Sequence, residues 1–563
     1  MKKIVLYTTF LLVFSVILVT GCTKKIDEAY ANPNAAVKVP VEQLLPGIIS
    51  TMGANSAGHG PYNDYRYLGK YIQNWHYQQP NDIYDQMSSR LIPLGSTAAD
   101  QTASTFRAHY YDIGQNNMNM IKWAGEEKKW DYVGVGKAIF AWSWLQLTDL
   151  QGECILNQAF DPSRLTFNYQ TQEEVYTYVR NLCHEALSYL NRTGDGVSQA
   201  NLALGDAYMY NGDLNKWKKF VYAILARSYN HLSNKANYQS ELADSVIKYC
   251  DLSFSSNADN AMEKFAFQTG GVTGAANFFG PARGNLNGTA AGSTTGNRQG
   301  GYIVNLLTGA NSAFSGVSDP RAIYMLRKNV NGTFKGVERN KGQLVLAAND
   351  RPENFYGVAQ NGSSPTNLSP SNDNNCRYIF RNTAPLPVIT AAEIKFMKAE
   401  AAFKKGDKQM AWNAYKEGIL LNFDMLSTTY NVNIPAGEEI TTANRDAYIN
   451  NPAVVPPSFN NITLSKIMLQ KYIALYAIGV FEVWVDMRRY HYTDPDPAGG
   501  QVYADLVIPT AATNDIHPNN LGKPVYRVYP RYNSETVWNI AELQRIGADK
   551  DDFHTKEMWF MQR

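Results

Sequence analysis

The sequence predicts a single large, mainly α domain carrying long polar loops, and three observations predict it. Apolar residues recur at three- and four-residue steps through several long segments, small residues and glycine punctuate paired helices, and glycine- or Asn/Pro-rich stretches separate the helical halves. A length of 563 residues would suggest three or four domains at about 150 residues each, but degenerate helical repeats allow one body. The 52 basic and 50 acidic residues leave a formal charge of +2, which offers no basic field for nucleic acid. Charged residues are only 18%, whereas aromatics reach 12%, with 36 tyrosines among them, so most rings carry a hydroxyl. This composition excludes disordered, collagen-like and coiled-coil classes.

The first 21 residues read as a signal peptide. Lys2 and Lys3 precede an apolar run that ends in Leu18-Val19-Thr20-Gly21-Cys22, a bacterial lipobox pattern in which the cysteine is lipidated and becomes the mature N-terminus. Thr23 follows it, with no inner-membrane retention aspartate, which favours the outer membrane. Several acyl chains, at about 0.8 kcal/mol per buried CH2, hold such a protein on a bilayer without a spanning helix. Residues 22–40 form the lipidated cysteine and a polar tether, and residues 41–563 form the domain. Cys154, Cys183, Cys250 and Cys376 are scattered without a CxxC spacing, so buried thiols are expected, although one bridge stays open for an exported chain.

The helices follow in order. Val135, Ala138, Ile139, Trp142 and Leu145 share a face on a helix that stops at Gln151-Gly152. Thr171 with Glu174 is a capping box for a helix to about Leu190, and Trp217, Val221, Ile224 and Leu225 carry the next. Segments 391–405 and 409–421, broken by Gly406-Asp407, have the grammar of a tetratricopeptide hairpin, echoed weakly at 207–217; a last helix is expected across 464–489. Residues 265–301 hold ten glycines and read as loop, as do 349–375 and 433–461. Loops this long inside a compact chain are usually functional, and Phe278, Phe279, Tyr302, Phe355 and Tyr356 lie in them.

Motifs for catalysis are absent: there is no HExxH, GxSxG, Walker-type phosphate loop or Rossmann glycine motif, and no EF-hand, so no cofactor or metal is implied. His184-Glu185 lies within a helical pattern and reads as structural. Glu482 and Asp486 resemble a glycosidase pair, but they stand four apart on one helix beside Arg488 and Arg489, where ion pairing is expected. The positive signal is aromatic. Residues 62–84 interleave Tyr62, Tyr65, Tyr67, Tyr71, Trp75, Tyr77 and Tyr84 with Asn, Gln, Asp and His, a mixture suited to stacking sugar faces and bonding their hydroxyls. Leu68, Tyr71, Ile72 and Trp75 also fit the buried stripe of a helix, whereas Tyr77 and Tyr84, around Pro80, are expected to be exposed.

Taken together, the lipobox at Cys22, the segment 136–152 ending Leu147-Thr148-Asp149-Leu150-Gln151-Gly152, Trp217-Lys218-Lys219-Phe220 through Arg227, 470–489 ending Trp484-Val485-Asp486-Met487-Arg488-Arg489, and Arg527-Val528-Tyr529-Pro530 with Glu535 resemble the SusD/RagB family of Bacteroidota outer-membrane lipoproteins, its second SusD-like branch above all. Gln151 departs from the aromatic that related chains commonly carry there. The resemblance implies a SusD-like domain of four tetratricopeptide-like helix pairs, seated on a SusC-like TonB-dependent transporter, that binds glycans or, in some members, peptides. It implies a site built from the loop after the first helix and from mid-chain insertions, here 62–84 and the glycine-rich stretch. Trp75, Tyr77, Tyr84, Phe278, Phe279 and Tyr356 are the expected ligand-binding residues, in a non-catalytic oligosaccharide-capturing lipoprotein on the extracellular face of the outer membrane. The alternatives are peptide capture, a surface glycoside hydrolase using Glu482 or Asp486, and an adhesive surface protein.

Overall fold

A computed structural model describes residues 38–88, 102–286, 296–358, 370 and 372–563. The signal peptide and Cys22 lie outside the described residues, as does most of the tether. Eleven of the helices organise the domain: α1 (Val41–Gly53), α2 (Pro61–Tyr71), α3 (Gly114–Glu126), α4 (Trp130–Gln151), α5 (Gln172–Leu190), α6 (Leu214–Asn230), α7 (Ala243–Leu252), α8 (Ala391–Lys405), α9 (Lys408–Thr429), α10 (Leu464–Ala474) and α11 (Val480–Arg489). From α3 to α9 each helix packs on the next in the chain, and α10 closes against α8. This is the mainly α, paired-helix domain that the periodicity predicts. None of the described helices is long and apolar enough to cross a membrane.

Local chemistry sets the boundaries. The Thr171 hydroxyl accepts from the Glu174 amide while the Glu174 carboxylate accepts from the Thr171 amide, closing the expected capping box of α5. Gly406 ends α8 in the left-handed region, at φ 95°, where a side chain would be strained, and Asp407 caps α9. The helix expected across 464–489 is instead two helices. Between them Ala477 has φ 65°, and the carbonyls of Tyr476 and Ile478 accept hydrogen bonds from the Tyr378 and Tyr62 hydroxyls, so the ladder breaks where these rings dock.

Two short antiparallel ribbons pin the loops to the helices. β1 (Trp75–Tyr77) pairs with β3 (Asn297–Gln299), and β2 (Ala261–Glu263) with β4 (Leu386–Ile389). The stretch 265–301 is therefore only partly loop. Ala276, Phe278, Phe279 and Gly280 are buried, and β3 places Asn297, Arg298 and Gln299 inside the body. The four cysteines are free and buried, as expected.

A charged network runs through the centre. Arg489 meets Glu400 through two bonds of 2.6 and 3.0 Å and also pairs with Asp486. Lys471 reaches Asp486 at 2.7 Å and Glu482 at 3.4 Å, while Arg227 clasps Glu393 at 2.5 and 2.7 Å. His231 bridges Glu482 at 3.0 Å and Asp149 at 3.2 Å, and the Tyr176 hydroxyl lies 3.0 Å from its ring. Asp486 thus joins Arg489 as the sequence suggests, but Glu482 turns to His231, Lys471 and Arg227, and Arg488 binds the carbonyls of Asp149 and Tyr526.

Removing one member of such a network strands its partner. Glu400→Leu should cost about 3–5 kcal/mol of unfolding free energy, read by denaturant titration, because the buried Arg489 would lose its two-bond partner and keep Asp486 alone, which it shares with Lys471. Burial alone would lower the His231 pKa, yet Glu482 and Asp149 outweigh it and push it up to about 9. Since the folded value exceeds the unfolded one, about 6.5, the contribution is complete below that pH and is lost as pH rises through about 9. The gap in thermal midpoint between wild type and His231→Gln should therefore narrow from about pH 7 to about pH 10.

Candidate glycan-binding cleft

The loop after α1 is held by its own side chain. The Asn55 Oδ1 accepts from the Ala57 and His59 amides at 3.1 and 3.0 Å, and the Asn55 amide donates to the His59 carbonyl at 3.0 Å. Gly60, at φ 146°, lets the chain turn against the Gly53 carbonyl, and Pro61 starts α2. Asp64 ties α2 down from beneath, accepting from the Ser104 and Thr105 amides and the Thr105 hydroxyl. Burial pushes its carboxyl up to about 7 against these bonds.

The glycine-rich stretch meets this loop. Asn277, fully buried, donates to the carbonyls of Ile379 at 2.9 Å and Ala384 at 2.7 Å and accepts from the Phe279 amide. Asn382 accepts from the Asn277 amide through its carbonyl and from the Ala282 amide through Oδ1. Gly280 packs so closely on Asn382 that a side chain there would collide with it.

Between the two segments opens a cleft of about 340 Å3, lined by Ser56, Ala57, Gly58, Asn63 and Arg66 on one side and by Thr273, Phe278, Ala282, Arg283 and Asn285 on the other. Phe278 forms its floor, with the Arg283 guanidinium 4.8 Å and the Arg66 guanidinium 5.6 Å from its ring centre. Arg283 is fixed by bonds to the carbonyls of Ala54 at 3.2 Å and Asn55 at 2.8 Å; Arg66 is steadied by Asn63. Burial lowers the Arg283 pKa, and the Arg66 charge lowers it further, against Glu263, which raises it. Asn285 donates to the Phe278 carbonyl at 2.9 Å. A groove walled by amide and guanidinium groups is chemistry for hydroxyl-rich ligands. A larger hollow of about 500 Å3 lies at Glu338, Arg339 and Asp515, but Arg339 and Asp515 already pair there at 3.0 Å.

Of the six rings expected to bind ligand, only Phe278 lines this cleft, and only its edge is open, at 2% exposure. Trp75 is wholly buried, its indole donating to the Arg66 carbonyl and its ring edge-on to Phe279 and Phe355. Tyr84 packs on Tyr67, and Phe279 on Tyr62. Tyr356 is fully buried, with its hydroxyl 3.5 Å from the Gly280 carbonyl. The expected exposure of Tyr77 and Tyr84 is overturned: β3 pairs across Tyr77, and Tyr84 folds back onto Tyr67 and Tyr71 of α2. These rings position the cleft's backbone; in this conformation they have no free face for a sugar. The segments 62–84 and 265–301 each contribute to the cleft, the first only through Asn63 and Arg66; that Asn63, Arg66, Arg283 and Asn285 line it was not legible, because scattered polar residues carry no periodic signal. Glu482 and Asp486 are buried in the charge network, and the described residues hold no cluster of three or more metal-ligating side chains.

Asn277→Ala should lower stability by about 1–3 kcal/mol and speed amide exchange across 277–285, because two carbonyls and the Phe279 amide lose their partner. Unchanged exchange would show that this anchor does not shape the cleft.

The fold has close counterparts. A SusD/RagB family protein from Bacteroides thetaiotaomicron superimposes with a TM-score of 0.64 at 22% identity, over 93% of this chain and 99% of its own. A chitin-binding protein matches at 0.64 and 19%, over 93% and 100%. A chitin-binding SusD homolog from Flavobacterium johnsoniae matches at 0.61 and 15%, over 92% and 98%. No curated protein matches the chain. A family model, SusD-like_2, described as starch-binding associating with outer membrane, matches residues 33–513, and the chain therefore belongs to the SusD-like family.

Proposed function

We propose that this protein is a non-catalytic lipoprotein of the outer cell surface that captures an oligosaccharide or polysaccharide in the cleft between 56–66 and 273–285 and passes it to a partner TonB-dependent transporter. The observation that carries this reading is the cleft itself: a polar groove lined by Asn63, Arg66, Arg283 and Asn285, the two guanidinium groups lying over the covered ring of Phe278. Asn63 and Arg66, from the singled-out segment 62–84, and the five lining residues from the glycine-rich stretch meet in it, while Ser56, Ala57 and Gly58 lie just before the first segment. The family description, and two structural counterparts whose names declare chitin binding, support a glycan ligand. The lipobox at Cys22 supports anchoring by acyl chains.

The test is a glycan array followed by calorimetry on the strongest ligand. Removing both polar walls in an Arg66→Ala, Asn285→Ala variant should weaken binding at least about tenfold, since each lost ligand bond is worth about 1 kcal/mol, while the lost bonds to Asn63 and the Phe278 carbonyl lower the thermal midpoint by only a few degrees and leave the fold intact by circular dichroism. Silence on the array with a response to peptide pools would transfer the cleft to peptide capture. Sugar release abolished by Glu482→Gln would contradict a binding-only protein. Separately, Cys22→Ala should move the protein from the membrane fraction to the soluble one, and the mature wild-type N-terminus should carry acyl mass on Cys22.

A further inference from the structure

On the far side of the 54–60 loop, sharing Ser56 with the cleft, lies a second and smaller hollow of about 190 Å3. The turn at Gly274 rests against Ser56 and forms the ridge between the two. Much of the hollow's wall is apolar, supplied by Pro46, Ala54, Phe265, Ala266 and Ala275. Tyr208, a residue 42% exposed, also lines it, and the sequence offered it only as part of a helical echo. Glu263 lines it from the end of β2 and is 2% exposed. Its Oε2 lies against Gly53, where any side chain would collide with it. Apart from the close approach of the Gly53 amide, this oxygen has no hydrogen-bond partner among the described residues.

A buried carboxyl oxygen left without a firm partner is costly, and such groups are ordinarily satisfied. Burial pushes the Glu263 carboxyl well above the usual carboxylate range, and the nearby Arg283 charge offsets only part of that shift. Burial thus favours the protonated form of this carboxyl, which has an O–H to donate. A small hollow with a largely apolar wall, polar positions at Ser50, Asn55 and Lys264, one buried acid and an adjacent ring matches a substituent that is itself half apolar and half hydrogen-bonding. An acetamido group is such a substituent: its methyl takes the apolar wall, and its carbonyl oxygen accepts from the acid.

We propose that the hollow at Glu263 and Tyr208 is a specificity subsite for the acetamido group of an N-acetylated sugar, set beside the main cleft so that one glycan chain crosses the Ser56–Gly274 ridge. The inference rests on the carbohydrate-binding reading and adds the substrate class. A plain hydroxyl in place of the acetamido group leaves the methyl slot empty and the acid poorly paired, which is how the subsite discriminates.

The test compares chitohexaose with cellohexaose, which share a β-1,4 backbone and differ in the acetamido group, by calorimetry on the purified full-length protein. Wild type should prefer chitohexaose by about tenfold or more. Glu263→Gln, which keeps an N–H donor, should retain the preference, and Glu263→Leu should lose it. Ala275→Phe, an exposed position whose ring would fill the hollow without touching the core, should lose it as well, and so guards against a folding defect at Glu263. Equal affinity for the two hexaoses, or a preference that Ala275→Phe leaves intact, would overturn the subsite while leaving glycan binding in the main cleft standing. Binding of other glycans on the array without any of chitohexaose would likewise overturn the subsite alone. Failure to bind any glycan would sink both readings.

Discussion

The architecture depends on one buried electrostatic arrangement. Asp149 in α4, Tyr176 in α5, Arg227 in α6 and His231 at its end, Glu393 and Glu400 in α8, Lys471 in α10, and Glu482, Asp486 and Arg489 in α11 form a continuous set of pairs within the helical body. Six helices far apart in sequence thereby share one register. Buried ion pairs of this kind need not add net stability over an apolar core, but a shifted helix would leave charges unpaired, so the network penalises every alternative packing. The aliphatic positions of these helices supply the cohesive energy, and the charges specify which faces meet.

That fixed body allows the loops to be irregular and still well placed. The break at Ala477 shows the coupling: the chain gives up helical continuity, and the freed carbonyls receive Tyr62 from α2 and Tyr378 from the loop before β4. Tyr62 in turn packs on Phe279, so the floor of the cleft is braced through two rings to the end of the charge network. Buried amides do the rest, with Asn277 and Asn382 satisfying backbone groups that no regular ladder reaches. The tyrosine excess has the same origin. A ring fills space between helices while its hydroxyl reaches a stray carbonyl, as Tyr71 does at Ser88, Tyr415 at Val454 and Tyr472 at Ile72.

This explains what the sequence made legible. Helices α4, α5, α6, α8 and α9 follow from apolar periodicity and caps, because those signals are local. Pairing of Asp486 with Arg489 is local too and was readable, whereas the pairing of Glu482 with His231 joins residues 251 positions apart and was not. Composition marked the glycine-rich wall of the cleft and, through 62–84, only the Asn63 and Arg66 part of the other wall; Ser56, Ala57 and Gly58 carried no signal. Which side chains face the cleft was not legible, since Tyr77 is covered by β3 arriving from more than 200 residues away and Tyr84 folds back on Tyr67 and Tyr71 of α2. Aromatic enrichment marked the scaffold of the site, and the polar residues at its surface carried no distinguishing pattern.

The central claim is that ligand sits between 56–66 and 273–285. Hydrogen exchange with mass spectrometry, with and without the glycan selected on the array, tests it most directly. The account predicts slowed exchange in both segments together, with α3 to α9 unchanged. Protection confined to other surfaces, with both segments exchanging as in the free protein, would contradict it.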